Sequence, residues 1–150
     1  MLVLLLAVLG STAAVYAHAS DATSPPVGRA AHTLNVTDTA HLHYVKSPGS
    51  LLLEVGAATG GLPGAVKAYL HVGPTVTASF TIYGHGWSIS GHGSGKPSGT
   101  GRLASFGGAM SVSHGTGRYA DAHGHGGFYG TIERTQPYAA VVQTTGTLSY

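Results

Sequence analysis

The chain has 150 residues, enough for one domain with a modest core. Seven basic residues stand against five acidic ones, and the basic residues are scattered, which excludes the basic stripe that nucleic-acid binding needs. With no cysteine, stability must come from packing and from backbone hydrogen bonding rather than from disulfides.

Residues 2–9 are all apolar. That run is too short to span a bilayer but suits the apolar part of an export signal. Ala17-His18-Ala19 then places small residues where a signal peptidase reads, so cleavage after Ala19 is expected, with a secreted or cell-envelope location. No Lys or Arg precedes the run, so either the terminal amine supplies the positive charge or the true start lies upstream. No second apolar stretch is long enough to cross a membrane once the leader is removed. Residues 20–32, with Ser24-Pro25-Pro26, have no periodicity and read as a linker.

From Thr33 the pattern becomes two-fold. Leu34 and Val36 alternate with polar neighbours, and Leu42 and Tyr44 alternate with His41 and His43. Ser47-Pro48-Gly49 is a turn. Leu51, Leu53 and Val55 share one face of the next strand, with Leu52 and Glu54 on the other. The run from Gly60 to Gly64 turns the chain again, and residues 66–72 form another strand ended by Gly73-Pro74. Val76, Ala78, Phe80 and Ile82 then alternate with Thr75, Thr77, Ser79 and Thr81, the pattern of a sheet with one dry and one wet face. Further strands are expected at residues 87–91, 103–106, 109–113, 127–132 and 138–148, whereas Gly91-His92-Gly93-Ser94-Gly95 reads as a glycine-rich loop. Turn signals recur at the spacing of about 8–12 residues typical of sandwiches and barrels. Residues 33–150 are therefore expected to be all-β, a small antiparallel barrel of about eight strands, since closure removes unpaired edges without needing disulfides.

Between the last strands lies the run from His114 to Gly124. Its Gly115-Thr116-Gly117-Arg118-Tyr119 segment, with Ala122 and Gly124, resembles the Gly-Thr-Gly-basic-aromatic turn of allene oxide cyclase-like and dirigent-like barrels, including secreted bacterial proteins with the same C-terminal pattern. His114 departs from that pattern, which more often has Gly there. The resemblance implies an eight-stranded antiparallel barrel and a structural role for the turn, in which glycine supplies positive φ and the aromatic packs. It brings no catalytic residue with it, because the active-site residues of those families cannot be matched one by one.

Three sets of residues carry candidate chemistry. Glu54 follows three leucines and precedes Val55; if its surroundings are apolar it becomes an acid or base with a raised pKa, and if it lies on the wet face it is an ordinary surface acid. His41/His43 and His123/His125 are spaced by two, so each pair shares a strand face, and two such pairs on adjacent strands would suit Zn or Cu. The alternative is that these histidines replace Ser or Thr on a polar β-surface. Tyr69, Tyr83 and Trp87, with Phe128, Tyr129 and Tyr138, either line a ligand pocket in the barrel mouth or fill its core. No organic-cofactor motif and no Gly-x-Ser-x-Gly is present. The expected function is that of a secreted barrel holding a small apolar molecule or serving a structural role. The alternatives are an isomerase or cyclase using an interior carboxylate, and an extracellular histidine-based metal binder.

Overall fold

The two-residue alternation that begins at Thr33 folds as eight strands joined mostly by tight turns, as seen in a computed structural model. The structure describes residues 31–150; the expected leader, 1–19, and the linker through residue 30 lie outside the described residues. The strands are β1 (Thr33–Lys46), β2 (Leu52–Gly60), β3 (Gly64–His71), β4 (Val76–Gly84), β5 (Trp87–Ser98), β6 (Leu103–Thr116), β7 (His123–Glu133) and β8 (Ala140–Ser149). A single 3-10 turn, Gly117–Tyr119, separates β6 from β7. Each strand pairs antiparallel with the next, and β1 pairs with β8 from Thr33↔Ser149 to Leu42↔Ala140, so the sheet closes into the expected barrel.

Two expectations for the strands change. The runs at 33–37 and 41–44 are one 14-residue strand, and the runs at 103–106 and 109–113 are likewise one. The glycine-rich loop expected at residues 91–95 is instead the middle of β5. The reason is steric. Alternation places Gly91, Gly93 and Gly95 on the inward face with Ile89, where large rings from other strands already occupy the space. A Cβ on Gly91 would come within 2.8 Å of Phe80, on Gly93 within 2.9 Å of Phe128, and on Gly95 within 3.0 Å of Phe128. Glycine on this face is a packing partner of phenylalanine rather than a loop signal.

The interior is filled in two clusters. Toward one end, Leu42, Ala58, Val66, Ala68, Leu70, Val76 and Ala140 pack together with Phe80 and Ile82. Toward the other, Leu62, Trp87, Ile89, Tyr119, Ala122 and Leu148 form a plug. The Gly115–Tyr119 turn builds that plug, as its structural reading requires. Gly117 has φ of +63°, and a Cβ there would strike the Gly86 carbonyl oxygen. The turn delivers Tyr119, which is buried edge-on between Trp87, with centroids 4.9 Å apart, and Tyr150, at 4.8 Å. The Arg118 guanidinium lies over both the Trp87 and Tyr119 rings, at 5.3 and 4.8 Å.

Candidate functional site

Along β1 the inward positions are Val36, Asp38, Ala40 and Leu42, all of which border the interior cavity. On β2 the inward phase is set by Ala58, which borders the same cavity, so Gly56 and Glu54 follow on that face. Two carboxyl groups therefore enter a largely apolar barrel interior, which Thr144 of β8 also borders. Both are buried: Asp38 is 5% exposed and Glu54 is 0% exposed.

Their surroundings differ. Asp38 Oδ1 accepts a hydrogen bond from the Leu62 backbone N–H at 2.8 Å, which ties the β2–β3 turn to β1. Burial raises the Asp38 pKa, and the N–H groups of Leu62 and Gly61 only partly offset that rise. Glu54 stands across from Tyr44 on β1 and Ala68 on β3, and neither of its oxygens has a hydrogen-bond partner. With nothing to stabilise the anion, burial alone pushes its pKa from 4.5 up to about 7. A carboxyl at that value is present in both forms near neutral pH, so it can give or take a proton.

The two groups do not act as a pair. Asp38 is in register with Gly60, and Tyr44 with Glu54, so six residues of β1 and of β2 separate them. At a rise of about 3.3 Å per residue that is about 20 Å. Paired carboxylates that work on one glycosidic bond stand about 5–9.5 Å apart. A shared-proton or two-carboxylate mechanism is therefore outside the reach of this geometry.

Between the two carboxyls lies a cavity of about 130 Å³, walled by aliphatic side chains and by Phe80, Phe106, Phe128 and Met110. Asp38 borders it. Glu54 stands just beyond its wall, since Ala68 opposite Glu54 and Leu42 opposite Gly56 are both wall residues. Apolar cavities of about 150 Å³ stay dry and take up benzene-sized molecules, whereas sites for drug-sized ligands run to about 300–1,000 Å³. The interior thus matches a compact apolar molecule and is too small for a long chain.

Of the aromatic residues expected in a pocket, Tyr69 and Tyr83 face outward on β3 and β4, Tyr83 being 48% exposed, and they do not line the interior. Trp87 faces inward but belongs to the plug. Of the expected aromatics it is Phe128 that lines the cavity, beside Phe80 and Phe106, while Tyr129 is 57% exposed; a dry lumen offers a phenol hydroxyl no partner. His41, His43, His123 and His125 are all exposed. β8 separates the two pairs, and His41 is level with Val141 and hence with Thr131, six residues along β7 from His125. That offset of about 20 Å keeps the pairs apart. No cluster of three or more metal-ligating side chains occurs among the described residues.

Sequence reasoning passed over Asp38, although the signal was there: Leu34, Val36, Asp38, Ala40 and Leu42 share one phase of the β1 alternation. Comparisons with protein-family models, with curated proteins and with solved structures yield no match to this chain.

Proposed function

We propose that this is an exported barrel of the allene oxide cyclase-like type whose interior holds one compact apolar molecule of about the size of a single aromatic ring. The observation that carries this reading is the cavity of about 130 Å³, lined almost wholly by carbon. A packed barrel serving only as a scaffold gains nothing from such a space, because unfilled volume in a core is destabilising.

Fluorobenzene added to the purified protein and followed by fluorine NMR tests it. A saturable bound signal is expected, and Ala58→Leu, which fills the cavity from β2, abolishes that signal. If fluorobenzene gives no saturable signal with the wild-type chain, the reading fails.

A second reading is supported by Glu54 specifically. An interior carboxyl without partners, balanced between its two forms near pH 7, has the properties of a general acid–base group in an isomerase or cyclase. On that reading the bound molecule is converted rather than carried. Native mass spectrometry of the exported protein separates the two. A retained organic molecule, the same in wild type and Glu54→Gln, marks a carrier. Accumulation of a different molecule in Glu54→Gln marks an enzyme.

A further inference from the structure

On the opposite side of the barrel wall, the outer faces of β3 to β6 form a groove of about 560 Å³. We propose that this groove is a binding site for a neutral oligosaccharide.

The groove has a cause in the sequence. Gly91, Gly93 and Gly95 leave the inward face of β5 without side chains, and Phe80 and Phe128 pack directly against its backbone. Opposite the Ser90–Gly91 step of β5, the neighbouring strand β6 carries one extra residue, Ser113, in a bulge. A bulge bends and coils its strand. Beside this bulge and over the side-chain-free inner face of β5, the outward residues His92 and Ser94 line the groove.

The chemistry of the lining narrows the ligand. Tyr69, Ser79, His92 and Ser111 stand in one register row across four adjacent strands, and His71 and Ser94 lie in the next row. Neighbouring strands are about 4.8 Å apart, so the row presents an evenly spaced series of groups. Hydroxyls both donate and accept hydrogen bonds, as does a neutral imidazole. Such an array complements a molecule whose own surface is hydroxyl groups. Tyr69 adds an aromatic surface for the apolar faces of sugar rings, and the Lys67 ammonium, 5.2 Å from its ring centroid, braces it.

Other ligand classes fit less well. No Asp or Glu lines the groove, so a cation finds no counter-charge there, and the one ammonium beside it, that of Lys67, is engaged on the Tyr69 ring rather than set among the lining hydroxyls. A peptide strand cannot add to it by backbone pairing, because every strand is already paired on both sides. The volume lies within the range of about 300–1,000 Å³ typical of small-molecule sites, room for a few sugar rings.

The test is amide NMR of the full-length exported protein, titrated with neutral tetrasaccharides of α- and β-linked glucose, mannose, galactose and N-acetylglucosamine, with tetragalacturonate as the anionic comparison. At least one neutral probe is expected to give saturable shifts confined to β3–β6. Tyr69→Ala and His92→Ala are each expected to weaken that binding about tenfold or more, while His43→Ala leaves it unchanged. Both positions are outward, so the amide spectrum also reports directly that the barrel remains folded. The proposal is overturned if no neutral probe saturates, if the shifts fall outside β3–β6, or if tetragalacturonate binds more tightly than every neutral probe. Prior loading of the interior with fluorobenzene keeps the two sites distinguishable.

Discussion

Replacing Glu54 with glutamine changes the pH dependence of folding in a way that can be worked out in advance. The glutamate is fully buried and lacks any partner, and its pKa rises from 4.5 in the unfolded chain to about 7 in the barrel. Below pH 4.5 both states hold the proton and the wild type carries no electrostatic penalty. Between 4.5 and 7 the folded state binds more protons than the unfolded one, so stability falls as pH rises. Above 7 the penalty is complete. Each unit is worth about 1.36 kcal/mol, so the full penalty is about 3 kcal/mol, a substantial share of the roughly 5–15 kcal/mol that holds a domain together. Glutamine cannot ionise and has nearly the same shape. The difference between Glu54→Gln and wild type should therefore grow from near zero at about pH 4 to about 3 kcal/mol in favour of the variant at about pH 8. Urea denaturation at a series of pH values measures it, since that difference moves the midpoint by about 1–3 M for a slope of about 1–3 kcal/mol/M. Asp38 and the surface histidines are common to both proteins and cancel in the comparison. A difference that stays flat with pH, or a variant that is less stable at about pH 8, would mean that Glu54 is ionised and stabilised in the native barrel, and the reasoning would be refuted.

Asp38→Ala removes the acceptor of the Leu62 N–H and leaves a buried donor unsatisfied, a loss of about 1–3 kcal/mol by thermal unfolding. Asp38→Asn, which can still accept that bond, should recover most of the loss. Gly117→Ala forces a side chain into a left-handed backbone position against Gly86 and should lower stability by more than about 1 kcal/mol, with a changed near-ultraviolet dichroism from Trp87 beside it. By contrast, Arg102→Ala breaks only a 3.2 Å surface ion pair with Glu133 and should change the denaturation midpoint by less than the equivalent of about 1 kcal/mol.

β4 was readable at once because Val76, Ala78, Phe80 and Ile82 are apolar and face inward while Thr77, Ser79 and Thr81 between them face out. β2 was ambiguous for a physical reason. Its inward residues after Glu54 are only Gly56 and Ala58, while Leu53, in the opposite phase, is also buried at 6% exposed, so neither size nor burial separates the two faces of this strand. The lumen at that level is filled instead by rings reaching in from other strands, which no local pattern on β2 can reveal. The same long-range exchange of volume made β5 look like a loop, since its glycines acquire meaning only beside Phe80 and Phe128. Turn residues fared better: Gly117 and Tyr119 act through local geometry, and their roles could be read from the residues themselves. The histidine pairs show the limit of spacing, which fixes a shared face but not the axial level of one strand against another.

The pairing of β1 with β8 also bears on how the chain is made. The first strand finds its second partner only in the last, and His32 and Tyr150 exchange two backbone hydrogen bonds at the far end of that seam. During synthesis β1 therefore waits with one edge bare until β8, about a hundred residues later, has emerged. Such late closure between distant segments slows folding and leaves a template for wrong pairing between nascent chains. A single-layer ring of this kind is safest when few copies are folding near one another, because the seam is the last edge to be covered.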